Sequence, residues 1–327
     1  MKLGSLSNDL RDGCPVLVDQ NLNFMVRVDN LVKNWQLAIE NWSIVAPALR
    51  EIYEKLNGGL IEGAIPFDTS LLSAPFPRAY QWLDGSAYVT HVELLRKARG
   101  VELPENFWTD PLMYQGGSDH FLGPRDPIRI KDIAWGADFE GELAVVVDDV
   151  PLGVSENQAE QHIQMILLVN DISLRNLIPE ELAKGFGFVH GKPPSAFGPV
   201  AVTTDMIGES WRGGKVNLPL SIELNGKKVG NVNAGVDMTF SFPELIAHAA
   251  KTRSLRAGTI IGSGTISNSD QQHGYSCLAE IRMLETISKG KPETPFLQFG
   301  DKIKMEMLSS EGQSIFGALE QTIEKCG

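Results

Sequence analysis

Asp138-Phe139-Glu140-Gly141-Glu142-Leu143-Ala144-Val145-Val146-Val147 sets acidic residues directly ahead of an unbroken apolar run. The run is short, rich in branched residues and stopped by Asp148-Asp149, which predicts a strand over 142–148. Side chains alternate along a strand, so Glu140 and Glu142 share one face while the branched run after them anchors the strand in a core. Two carboxylates on one face repel, and desolvating them raises the cost unless a cation or a shared proton intervenes. Oxygen ligands with no Cys or His set nearby point to Mg²⁺ or Ca²⁺ rather than Zn²⁺. A solvated acidic edge is the competing reading of this segment taken alone.

Further strands are predicted over 200–203, 218–224, 259–262, 279–284 and 302–307, each short and bounded by turn signals. Helices are predicted over 155–168, with Ser155 and Asn157 as candidate caps, and over 243–250, and an amphipathic stretch covers 92–98. Upstream, 14–31 reads as strand-like pieces and 32–56 has helical spacing in Trp35, Ile39, Trp42, Ile44, Ala48, Ile52 and Leu56. The glycines and prolines of 58–77 read as a connection, placing a boundary near Ala74 between a small leading domain, 1–74, and a larger one, 75–327. The pattern is a mixed, β-rich α+β fold without the regular alternation of a doubly wound sheet. Neither a Gly-x-Gly-x-x-Gly opening a helix nor a Gly-x-x-x-x-Gly-Lys-Ser/Thr loop occurs, which argues against a nucleotide enzyme.

The chain has 327 residues, with 29 Lys plus Arg against 41 Asp plus Glu, a formal charge of −12. That balance disfavours nucleic acid or an anionic lipid surface as principal partner, while a small anion could still bind through a local cation or metal. The opening turns polar before an apolar core forms, and the longest apolar runs fall far short of the roughly 20 residues that span a bilayer. Cys14, Cys277 and Cys326 are odd in number and lack metal-type spacing, as expected of free thiols. The expectation is a soluble, cytoplasmic protein.

Several other segments carry groups suited to chemistry. Val169-Asn170-Asp171-Ile172-Ser173-Leu174-Arg175 ends an apolar element in polar residues. Asp171 could add a third oxygen ligand and Arg175 could meet an anion across a helical turn, or the cluster could be a cap with a surface ion pair. Gly191-Lys192-Pro193-Pro194-Ser195 fixes a lysine in a stiff loop, where its ammonium could meet a carboxylate or oxyanion at little reorganisation cost. Gly262-Ser263-Gly264-Thr265-Ile266-Ser267 is a small-residue turn that allows close approach of backbone amides and the Thr265 hydroxyl to an anion. Glu280 lies in an apolar segment read as a strand, where an acid needs a partner or water, and is a candidate to orient a histidine. Of six histidines, His91 is favoured as a base near neutral pH, although spacing alone does not separate it from His120 or His273.

In this order the segments resemble the fumarylacetoacetate hydrolase family, over about residues 76 to 310, and Met1-Lys2-Leu3-Gly4-Ser5 is similar to the small leading domain of its longer bacterial members. The resemblance implies a mixed β-roll, usually dimeric, in which the Asp-Phe-Glu-x-Glu-Leu strand, the Asn-Asp-x-Ser-x-Arg element, the Gly-Lys loop and the Gly-Thr-Ile-Ser turn surround one divalent ion. It implies Glu140, Glu142 and Asp171 as ligands, joined by Asp84, which keeps the family's interval of seven residues before the catalytic histidine, here His91. It further implies His91 as the base that activates water, oriented by Glu280, with Arg175, Lys192, Thr265 and Tyr114 contacting the substrate or its oxyanion. The reaction implied is hydrolytic cleavage of a carbon–carbon bond in an anionic β-diketo acid, fumarylacetoacetate first and an acylpyruvate such as fumarylpyruvate second. Two alternatives stand beside it: a hydratase, decarboxylase or isomerase of 2-oxo dienoic acids on the same fold, and a noncatalytic binding protein. Ile178, three residues beyond Arg175, stands where the family's fumarylacetoacetases carry a glutamine that contacts substrate.

Overall fold

The computed structural model describes residues 1–98, Glu102 and 104–327. Its centre is the strand Gly141–Val147, buried at every position. Antiparallel partners flank it on both sides, Ile163–Asn170 on one and Ile260–Gly262 on the other. Alternation along this strand divides two cores: Leu143, Val145 and Val147 pack into one, Ala144 and Val146 into the other. A sheet buried on both faces needs apolar residues at consecutive positions, which is why the run reads as unbroken rather than alternating.

The central strand belongs to a twelve-stranded sheet. Beyond Ile260–Gly262 lie Trp82–Gly85, paired in parallel, and then Met113–Gly116 at the edge. In the other direction Ala201–Thr203 follows Ile163–Asn170 and pairs with Lys2–Leu6, so the leading strands Cys14–Val18 and Phe24–Arg27 continue the same sheet. Trp35, Ile39, Leu49 and Tyr53 of the leading segment pack into the core that holds Ala144 and Val146. A second, five-stranded sheet contains Pro219–Leu224, Lys302–Met307 and Leu319–Lys325. The architecture is the mixed, sheet-rich α+β class that the sequence predicts. Among the described residues no helix is long and apolar enough to cross a membrane.

Three expectations need correction. The helix predicted over 155–168 is one turn, Glu156–Ala159, and a short 3₁₀ segment, after which Ile163–Asn170 is a strand. A short buried apolar run carries no period that separates helix from strand, and pairing on both edges decided for the strand. The strand predicted over 279–284 is instead the first part of the helix Leu278–Lys289, closed by Gly290 in the left-handed region. The helix of 32–56 divides at Asn41 into Trp35–Glu40 and Trp42–Asn57, the first capped by the Asn34 side chain.

One turn is set by backbone contact. Gly264 has φ +73°, and a Cβ there would lie 2.2 Å from the Gly85 carbonyl oxygen. Gly264→Ala therefore combines left-handed strain with a backbone clash that no side-chain rotation relieves, and is expected to cost roughly 2–3 kcal/mol. A lowered urea midpoint at unchanged m-value is the measurement; an unaltered midpoint would contradict the contact.

Candidate active site

Asp84, Glu142 and Asp171 arrive from three neighbouring elements. Asp84 lies on Trp82–Gly85, in register with Gly262 on one side and Tyr114 on the other. Gly262 leaves it room, since a Cβ at that position would meet Asp84 Oδ1 at 2.3 Å, and the Gly264 amide donates to the same oxygen at 3.1 Å. Asp171 follows the end of Ile163–Asn170, and its amide donates to the Glu140 carbonyl at 3.0 Å. One carboxylate oxygen from each of the three acids lies within 4.8 Å of the other two. All three residues are buried.

Partners divide the acids unequally. Asp171 accepts from Ser195 Oγ at 2.5 Å and from Tyr114 Oη at 2.6 Å. Glu140 accepts from Arg175 Nη2 at 2.7 Å, Ser173 Oγ at 3.1 Å and Lys192 Nζ at 2.5 Å. The Lys192 ammonium also reaches Asp171 Oδ2 at 2.6 Å and stands 5.3 Å from the centroid of the Tyr114 ring. Glu142 is fully buried, and neither of its oxygens has a hydrogen-bond partner. Burial, reinforced by Asp84, Asp171 and Glu140, pushes the Glu142 carboxyl well above the usual carboxylate range. Burial first and Asp171 second do the same to Asp84. Glu140 goes the other way: burial would raise it, but Arg175 and Lys192 outweigh burial and hold it low.

These observations test whether a metal fits. An orphaned buried carboxylate is costly unless a cation or proton joins it. Asp84, Asp138, Glu140, Glu142 and Asp171 bring five carboxylates against the two cations Arg175 and Lys192, an excess of buried negative charge that a divalent ion would offset. The donors are all oxygen, as a hard ion requires. The residues present thus fit a divalent ion held by Asp84, Glu142 and Asp171. Glu140, the fourth ligand that the resemblance implies, shares the Lys192 ammonium with Asp171 and also pairs with Arg175.

Beside the acids lies a second buried pair. His91, on Val89–Ala98, places Nδ1 2.6 Å from Glu280 Oε1, and both residues are buried. Glu280 sits in the first turn of Leu278–Lys289 rather than on a strand, yet it meets the histidine as expected. His120 is exposed, and His273 is an exposed residue 3.7 Å from Asp270. Arg175 follows the short strand Ser173–Leu174 rather than a helical turn. Thr265 is buried in a turn anchored to the central strand, with the Ser263 amide donating to the Leu143 carbonyl and the Ile266 amide to that of Gly141. Three residues that the sequence reading missed support the site. Ser195 holds Asp171, Asp138 holds Arg175 at 2.9 Å, and Glu181 accepts from the amides of Val189, His190 and Gly191 just before Lys192. Asp138 was detectable by parity, since it alternates with Glu140 and Glu142.

A family model described as fumarylacetoacetate (FAA) hydrolase C-terminal matches residues 81–324, and one described as fumarylacetoacetase N-terminal domain 2 matches residues 1–78. The chain belongs to the fumarylacetoacetate hydrolase family. It is 30% identical to the oxaloacetate tautomerase YisK of Bacillus subtilis (strain 168) over 236 residues, 71% of this chain and 68% of that protein. It is also 30% identical to the mitochondrial oxaloacetate tautomerase fahd2 of Xenopus laevis over 184 residues, 55% of this chain and 53% of the relative, so the match spans about half of that protein's length. A solved structure of maleylpyruvate hydrolase from Sphingobium sp. SYK-6, in complex with manganese (II) ion and pyruvate, has the same fold with a TM-score of 0.66 and 16% identity, covering 100% of both chains.

Proposed function

We propose that this chain is a divalent-metal-dependent hydrolase that cleaves the carbon–carbon bond of a β-diketo acid, with fumarylacetoacetate first and an acylpyruvate second. The observation that carries this reading is the buried His91–Glu280 pair beside an acid cluster suited to a hard cation. Carbon leaves poorly unless its charge is delocalised, and a divalent ion at Asp84, Glu142 and Asp171 would supply the Lewis acidity for that charge. Glu280 accepts a hydrogen bond from His91 Nδ1–H, which leaves Nε2 as the acceptor that takes a proton from water. The water oxygen bonds to the carbonyl carbon, the carbon–carbon bond breaks, and the imidazolium returns that proton to the departing carbon. Lys192 and Arg175 supply cations for the substrate carboxylate or the developing oxyanion.

The second reading, tautomerisation of an oxo acid such as oxaloacetate, is favoured by the two relatives named for that activity. His91 would then move a proton between carbon and oxygen without water attack. Purified protein with Mg²⁺ or Mn²⁺, then with EDTA, should be offered fumarylacetoacetate, fumarylpyruvate, acetopyruvate and oxaloacetate, with products identified by mass. The expected result is two carboxylic acids carrying one oxygen from solvent, and a rate lowered at least about 100-fold by EDTA. Keto–enol interconversion of oxaloacetate with no cleavage of the other three would replace the first reading by the second.

A further inference from the structure

The catalytic pair and the acid cluster are joined by one residue to which neither assigns a role. Asp138 is fully buried and lies in register with Ser173. Its carboxylate accepts from Arg175 Nε at 2.9 Å, from the Leu278 amide at 2.8 Å and from the Ala279 amide at 3.0 Å. Arg175 in turn donates to Glu140. Leu278 and Ala279 open the helix whose next residue is Glu280, the partner of His91. Cys277, at the N-cap position of that helix, makes no side-chain capping bond, so Asp138 supplies from elsewhere in the chain the acceptor that the helix start lacks.

We propose that Asp138 is a positioning residue that fixes Glu280, and through it His91, relative to the metal-and-substrate cluster. The free amides of a helix start and a buried guanidinium both seek an anion, and a single carboxylate satisfying both ties the helix end to Arg175 by charge-assisted bonds. Glu280 is one residue beyond the tied amides, so a change in their anchorage moves the carboxylate that holds the His91 ring. A base displaced by about 1 Å loses much of its effect, because proton transfer demands hydrogen-bond reach. This inference rests on the reading of His91 as the base.

The test is Asp138→Asn, which keeps the shape but offers one acceptor oxygen to three donors. With fumarylacetoacetate or fumarylpyruvate, kcat is expected to fall about 10- to 100-fold, while Mn²⁺ affinity changes by less than about threefold. In a Glu280→Gln background the same change should cost less than about threefold more, because both act on one ring. Full turnover in Asp138→Asn, or losses that multiply in the double variant, would overturn the role. Should Asp138→Asn not fold, amide exchange in the wild-type protein decides: the Leu278 and Ala279 amides are expected to exchange about tenfold more slowly with Mn²⁺ and oxalate bound. Equal exchange rates refute the coupling. A wild-type protein that turns over none of the diketo acids refutes the hydrolytic reading instead, and the exchange measurement still judges Asp138.

Discussion

His91→Ala is expected to lower hydrolytic turnover roughly 10²- to 10⁴-fold, the usual contribution of a positioned general base, while Mn²⁺ affinity stays within about threefold. The separation follows from geometry. His91 pairs with Glu280, whereas the three carboxylates that fit an ion are Asp84, Glu142 and Asp171. Removing the imidazole therefore leaves the cation site whole. Because the helices bearing His91 and Glu280 pack on each other, a melting curve accompanies the assay to separate lost chemistry from lost structure. Stopped turnover with intact metal affinity and an unchanged melting point supports the base. Wild-type rates in the variant would remove His91 from the mechanism and pass the proton to another group.

The strands around the site were legible because their signal is local. Gly141–Val147, Pro219–Leu224, Ile260–Gly262 and Lys302–Met307 combine branched residues with turn boundaries, and all four fall within a residue of their expected limits. The helix expected over 155–168 fails at Ile163 because the strand character of Ile163–Asn170 comes from Gly141–Val147 and Ala201–Thr203, its neighbours in the sheet. The strand expected over 279–284 is helical instead: Leu278, Ala279 and Glu280 are all buried, so the opening turn of Leu278–Lys289 carries no amphipathic contrast. The acids were legible as residue types, and the resemblance singled out Asp84 and His91. What stayed hidden was the division of labour among the acids. That division depends on where two cations end: Arg175 on Asp138 and Glu140, Lys192 on Glu140 and Asp171. Spacing along a chain contains no information about such cross-chain pairing.

That division makes Glu142→Gln the sharpest test of the cation site. Lys192 is shared between Glu140 and Asp171 and Arg175 adds a second cation at Glu140, so the carboxylate left with no hydrogen-bond partner is Glu142, beside Asp84. An amide at 142 removes that charge and can donate to Asp84, which is expected to abolish measurable Mn²⁺ binding and turnover while stabilising the metal-free protein by about 1–3 kcal/mol. On a chain of this size that corresponds to a rise in Tm on the order of 2–6 °C. The sign of the pH dependence follows from the raised Glu142 and Asp84 carboxyls. A carboxyl whose folded pKa exceeds its unfolded value holds more protons when folded, so stability of the metal-free wild type declines as pH rises from the unfolded range, about 4, through the folded pKa. Glu142→Gln should flatten that decline. Mn²⁺ should reverse the order of stability at neutral pH, because it binds the folded wild type and has no complete site in the variant. A metal-free Glu142→Gln protein that melts below the wild type at neutral pH would mean that Glu142 is already satisfied by a group other than a cation, and that its buried oxygens call for no ion.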